Sequence, residues 1–150
     1  MIEIDSINNK ILLELESNGR ISNTDLAQRV GLSASACLRR VQDLERSGVI
    51  KGYRATLDRA QLGGHVVIFV MVGLSEHLKK DAQAFEQAMI AAPHVRECHN
   101  ITGSVEYLLR VEVSDLAAYK EFHADVLGTQ SQVSSITSYI SLGSPKDMRA

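Results

Sequence analysis

The sequence predicts an α+β protein in two parts, and a change of hydrophobic period predicts it. Apolar residues recur at helical spacing from Ile4 to Leu44, whereas from residue 65 onward they fall into a strand, helix, strand, strand, helix, strand succession. Between the two lies Asp58 to Gly64, short, polar and ending in two glycines, which reads as a linker. The expected domains are therefore 1–60, a helix-turn-helix domain with a wing and hinge strand, and 61–150, a ferredoxin-like βαββαβ domain.

Ile7, Ile11, Leu12 and Leu15 share one face of a first helix, with Asp5 as its N-cap and Asn18-Gly19 as its stop. Ser22 and Asp25 resemble a capping box with Asp in place of Glu, opening a short second helix in which Leu26, Ala27 and Val30 point inward until Gly31. Ser33 caps a third helix whose inward stripe is expected to be Cys37, Leu38, Val41 and Leu44, closed by Ser47-Gly48. Ile50, Gly52 and Thr56 then alternate with Lys51, Tyr53 and Arg54, which predicts a strand or ribbon to about Leu57. The second half reads as strand His65–Leu74, helix Leu78–Ala92, strands Val95–Ile101 and Tyr107–Val113, helix Leu116–Leu127 and strand Val133–Leu142. Pro93 and Gly128 end the helices, Gly103 marks a hairpin, and Ser144–Ala150 is expected to be a frayed tail. The first strand is apolar on both faces from Val66 to Val72, so a partner subunit is expected to cover the sheet face that the helices leave open.

With 150 residues, 45% hydrophobic and 23% charged, the composition is that of an ordinary globular protein and excludes disordered, collagenous and coiled-coil classes. The formal charge of -2 excludes a uniformly basic nucleic-acid coat. Cys37 and Cys98 each sit inside a predicted element, with no C-x-x-C, which argues against a disulfide scaffold or zinc site. Five scattered histidines offer no i, i+4 pair, so no metal is expected. The apolar stretch from Val66 to Val72 is far short of a membrane span, and Met1 to Asp5 has no basic n-region; the expected location is the cytoplasm, without a membrane partner.

Chemistry concentrates in two places. A major groove admits a helix whose start carries small residues, with long donors behind. The third helix offers Ser33, Ala34, Ser35 and Ala36, then Arg39 and Arg40. From Ser33 to Arg54 there are five basic residues against Asp43 and Glu45, a local balance of +3, while residues 61–150 balance at −3. Lys51, Tyr53 and Arg54 on the wing are placed to brace phosphates. The plainer alternative is a three-helix bundle whose Arg39 and Arg40 form a solvated face. The second place is the hairpin from Thr102 to Leu109, where the N–H groups of Gly103 and Ser104 suit a carboxylate and Glu106 an ammonium. There the alternative is a turn glycine and an exposed glutamate. Cys98 and His99 are neighbours on one strand, point to opposite faces, and cannot form a nucleophile–base pair; Cys98 reads as core and His99 as a lining or interface residue. Tyr119 and Phe122 read as core.

In this order the motifs carry a resemblance. Asp5-x-x-Asn8-x-x-Ile11-Leu12, Gly19-Arg20-Ile21-Ser22, Val30-Gly31-Leu32-Ser33, Arg39-Arg40-Val41-x-x-Leu44-Glu45 and Gly48-Val49-Ile50-x-Gly52-Tyr53 are followed by Glu97-Cys98-His99, Gly103 and Glu106-Tyr107-Leu108-Leu109. From Ile4 to Leu142 the chain resembles the Lrp/AsnC, or feast/famine, family of prokaryotic transcription regulators. The resemblance implies a winged helix-turn-helix hinged to a ferredoxin-like body, dimers built through the sheets and an octamer of four dimers. It also implies a small amino acid bound between dimers as effector, with no other cofactor. Carried over by position, contact with double-stranded DNA falls to Ser33, Ser35, Ala36, Arg39, Arg40, Lys51, Tyr53 and Arg54. Effector contact falls to Thr102, Gly103, Ser104, Glu106, Tyr107 and Ser138. The family hairpin Gly-Asp-x-Asp-Tyr carries Ser104 and Glu106 here, leaving Glu106 as the expected ammonium partner. Ile136 and Ser138 stand where Thr-x-Thr is common, which favours an aliphatic effector, leucine or methionine. The rival is an architectural, DNA-compacting oligomer without an effector. No nucleophile, acid–base pair or metal set supports an enzyme.

Overall fold

The computed structural model describes residues 4–147 except Gly64 and His77, and only the backbone of Arg59 and Ala60. Residues 148–150 of the expected tail thus lie outside the described residues. Backbone contacts divide the chain into two units, Met1–Thr56 and Leu57–Ala150.

The first unit holds α1 (Ser6–Ser17), α2 (Asn23–Val30) and α3 (Ala34–Arg46). Each begins on a side-chain cap: Asp5 accepts from the Asn8 N–H, Ser22 from that of Asp25 and Ser33 from that of Ala36. Of the expected capping box the Ser22 half forms, and Asp25 meets Ser22 through its hydroxyl, which donates to the Asp25 carboxylate at 2.6 Å. Gly31 ends α2 with φ 75°, a left-handed conformation that a Cβ would strain, and so turns the chain into α3. Ile11, Leu26, Ala27, Val30, Cys37 and Leu44 form the core.

Two expectations about this unit fail. Leu38 is not on the inward stripe but 46% exposed. Adjacent residues are about 100° apart on an α-helix, so once Cys37, Val41 and Leu44 face the core, Leu38 is carried to its flank. Nor do residues 51–58 form a strand among the described residues; they run exposed and irregular. Alternation marks a segment able to join a ladder, but a strand exists only when a second segment takes up its hydrogen bonds.

The second unit opens with one 3₁₀ turn, Arg59–Leu62, inside the segment read as linker. It continues as β1 (Val66–Leu74), α4 (Lys79–Ala91), β2 (Val95–Asn100), β3 (Tyr107–Val113), α5 (Leu116–Phe122) and β4 (Val133–Ile140). The sheet order is β2-β3-β1-β4, antiparallel throughout, as a ferredoxin-like plan requires. Ile68, Val70, Val72, Leu109 and Val111 meet Phe85 and Met89 of α4, Phe122 of α5 and Leu127 in one core, so both helices cover one face. On the other face Val67, Phe69 and Met71 of β1 are half-buried. There the tail is not wholly frayed: Asp147 accepts from Arg110 Nη2 at 3.4 Å, and Arg110 also pairs with Glu112.

The predicted helix Leu116–Leu127 changes character midway, becoming a π-turn over His123–Leu127. Phe122 and Leu127 are both buried, yet residues five apart lie roughly 140° apart around an α-helix. Widening the turn brings both to the core, and the Thr129 and Gln130 side chains hydrogen-bond the Val126 carbonyl in the last turn of the helix.

Leu44 is fully enclosed at the centre of the three helices. Leu44→Ala is expected to destabilise the first unit by about 2–5 kcal/mol; calorimetry should show one unfolding transition lowered and that of the sheet unit unmoved.

Candidate nucleic-acid interface and ligand-binding loop

α3 is set in place at its start and near its middle. At its start, Asn23 Nδ2 donates to the Ala34 carbonyl at 2.8 Å, and the Leu32 N–H donates back to Ala27. Near its middle, Arg40 Nη1 donates to Asp5 Oδ2 at 2.7 Å and to Asn8 Oδ1 at 3.0 Å, and Asn8 is buried. Cys37, Arg40, Val41 and Leu44, spaced i, i+3, i+4, i+7, therefore make the face turned toward the other helices. The opposite face carries Ser35, Arg39 and Gln42, all exposed, with Leu38 on its flank. Arg39 and Arg40 thus diverge: Arg40 braces α3 against α1, while Arg39 has no bonded partner among the described residues.

The other predicted contacts divide similarly. Ser33 is engaged as the cap, its Oγ 3.3 Å from that of Ser35, and Ala36 is half-buried beside it. Lys51 and Arg54 are exposed. The Tyr53 phenol donates to Glu45 Oε1 at 3.0 Å and its ring packs over Gly19, pinning the segment after α3 to the bundle. Burial, with Glu45 beside it, pushes this phenol's pKa up. Sequence reading missed Leu38 and Gln42. The signal was present, since counting i, i+3, i+4, i+7 from Ser35 gives Leu38, Arg39 and Gln42, whereas the same count from Cys37 takes Arg40 inward.

The structure does not gather all the predicted effector contacts. Thr102, Gly103 and Ser104 are exposed on the turn between β2 and β3, with Gly103 at φ 146° and open space around it. Glu106 folds back: its Oε2 accepts from the Leu74 N–H at 2.7 Å, where the β1–β4 register shifts between Gly73 and Leu74. A longer acid reaches a backbone donor that the irregular ladder leaves available. Tyr107 is buried in the core, its ring tilted by 42° against that of Phe85 with centroids 4.7 Å apart and its hydroxyl donating to Glu86 at 2.8 Å. Ser138 lies across from Val70, two register positions along β1 from Val72, the partner of Tyr107. Its hydroxyl contacts that of Tyr119 at 2.5 Å, so Tyr119 is more than core filling. Burial raises the Tyr119 pKa, against the lowering effect of the Ser138 bond.

Cys98 packs against the core, and burial, with Glu86 nearby, pushes its thiol up to about 11, which leaves it protonated and inert. His99 is exposed and bonded to Glu97, not to Cys98. Among the described residues no group of three His, Cys, Asp or Glu could hold a metal ion. No helix among them is long and apolar enough to cross a membrane.

A three-helix head whose third helix turns Ser35, Arg39 and Gln42 outward, followed by an antiparallel ferredoxin-like unit, defines a helix-turn-helix DNA-binding protein. Comparison with known proteins narrows the class. Residues 4–51 match the winged helix-turn-helix DNA-binding family and residues 67–150 the Lrp/AsnC ligand-binding domain. The leucine-responsive regulatory protein of Rhizobium meliloti is 40% identical, covering 97% of this chain and 94% of that protein. The Bkd operon transcriptional regulator of Pseudomonas aeruginosa is 43% identical over 96% and 94%. A transcriptional regulator of Neisseria meningitidis, solved as a complex with L-methionine, superposes with a TM-score of 0.91 at 32% identity over 97% and 94%. The chain belongs to the Lrp/AsnC family of transcriptional regulators.

The Asn8 N–H, and after it the Arg40 guanidinium, hold the Asp5 carboxyl below its ordinary pKa of 3.8. A carboxyl depressed in the folded state contributes stability that is present above the ordinary value and lost as the pH falls through the folded one. Thermal unfolding followed from about pH 5 down to about pH 2 should show the first unit weakening, and Asp5→Asn should start less stable and flatten that dependence.

Proposed function

We propose that the protein is a sequence-selective transcriptional regulator whose DNA binding responds to a small amino acid. The observation that carries the DNA half is the outward face of α3, where Arg39 stands exposed behind small residues. In this reading Ser33, Ser35 and Ala36 allow close approach to double-stranded DNA and Arg39 contacts a base edge. Lys51 and Arg54 contact phosphates. Arg40 and Tyr53 hold the reading surface in place.

The effector half rests on the exposed turn Thr102–Ser104, on Glu106 beside it, and on the Neisseria relative having been solved with L-methionine. Free leucine or methionine is the favoured effector, with the Gly103 and Ser104 N–H groups facing its carboxylate. Tyr107 supports the loop from below. Ser138 enters either through the hydrogen-bonding capacity its contact with Tyr119 leaves or by exchange of that contact. The half-buried apolar face of Val67, Phe69 and Met71 supports a homodimer through the sheets, and four such dimers an octamer with the amino acid between dimers. The setting is the cytoplasm. An effector acts only by binding one assembly state better than another, so DNA and amino acid must alter each other's affinity equally.

Thermal unfolding measured with each of the twenty amino acids tests the effector. Leucine or methionine should raise the midpoint progressively with concentration. Silence from all twenty at millimolar levels would transfer support to the architectural, effector-free reading. Labelled promoter fragments that stay unshifted in a gel at modest ionic strength would end both.

A further inference from the structure

We propose that Leu38 and Gln42, together with Arg39, determine which bases the protein reads, and that Arg40 does not. The inference rests on α3 entering the major groove. Its roll about its own axis is fixed by bonds unrelated to DNA, namely Arg40 to Asp5 and Asn8, and the burial of Cys37 and Leu44. That roll turns Ser35, Arg39 and Gln42 outward, with Leu38 on the flank, 46% exposed and outside the core of the bundle. The remaining cation of the helix, Arg46, is engaged by Asp43.

The side chains on this face differ in what they can recognise. The major groove's one apolar feature is the thymine C5-methyl, and an isobutyl group that cannot hydrogen-bond is suited to it alone. A carboxamide carries one donor side and one acceptor side in a plane, which matches adenine N6–H and N7; a guanidinium matches guanine O6 and N7. Leu38 and Gln42 are one turn apart, about 6 Å along the axis, or roughly two base-pair steps of about 3.4 Å. The three side chains therefore address neighbouring base pairs, and the half-site should hold a thymine, a guanine and an adenine within about three or four steps.

The test uses the full chain. A randomised duplex pool is enriched by binding and sequenced for the unaltered protein, Leu38→Ala, Gln42→Ala and Arg40→Ala. The winning half-site is then remade with uracil for thymine, which deletes only the methyl, and with 7-deazaadenine for adenine, which deletes only the N7 acceptor. Uracil at one position should weaken the unaltered protein about fourfold and leave Leu38→Ala unaffected. The deaza base should weaken it about fivefold or more and leave Gln42→Ala unaffected. Arg40→Ala removes one of the two holds on the roll and leaves the burial of Cys37 and Leu44; it should lower the unfolding midpoint and weaken binding to the winning half-site, and it should abolish neither the uracil nor the 7-deazaadenine penalty, as loss of a reading side chain would. Equal losses in protein and variant, or no loss in either, overturn the assignment while DNA reading stands. A pool from which the unaltered protein enriches nothing overturns the assignment together with the reading it rests on, and that result looks different from the other. Leu38→Ala and Gln42→Ala change exposed residues, and their circular dichroism should match that of the parent.

Discussion

The link from Arg40 to Asp5 and Asn8 sets the roll of the third helix, and the reading surface follows from that roll. Asp5 is at once the cap of the first helix and the acceptor for a side chain from the third, so one carboxylate fixes both where α1 begins and how α3 faces. Had Arg40 pointed outward, Leu38 would turn toward the interior and Arg39 would lie across the side of the helix. A guanidinium suits this task because it donates in a fixed plane to two acceptors, where an ammonium would hold position without orientation.

The second unit is organised about β1, the strand with neighbours on both sides. Its inner residues close the core with the helices, while its outer residues remain only half covered, so the strand's apolarity on both faces has two separate causes. The Glu106 carboxylate ends the same strand from the side of the β2–β3 turn. An acidic side chain that first suggests a ligand contact thereby maintains the irregular pairing at Gly73 and Leu74, and the turn it belongs to is anchored without the use of Thr102, Gly103 or Ser104.

What could be read from the sequence was whatever depends on neighbours in the chain. Caps at Asp5, Ser22 and Ser33, stops at Gly31 and Pro93, and the periods of the three helices of the head and of the four sheet strands are local matters, and the structure has them where the residues put them. What depends on a distant partner was not legible. Arg40 looks like a second groove donor until Asp5 is known to lie beside it, and Tyr107 like a loop residue until Glu86 and Phe85 enclose it. The alternation at residues 50–57 says only that a ladder would suit it. Leu38 fails for another reason: a leucine next to a buried cysteine invites an inward assignment, although the turn angle already forbids both from facing one way. The π-turn after Phe122 has no sequence mark beyond two large apolar residues at an awkward interval.

The bond between Tyr119 and Ser138 gives the sheet's edge strand a resident occupant for its hydroxyl. A small molecule that takes the Ser138 site now bonded to the phenol evicts it, so its gain there is the difference between two hydrogen bonds rather than the whole of one. Eviction would also set an aromatic ring loose at the turn of α5 that precedes the π-turn, turning arrival at the strand into movement on the helix layer. A molecule that leaves Ser138 alone would produce no such displacement, so two ligands of equal affinity would leave the helix layer in different states.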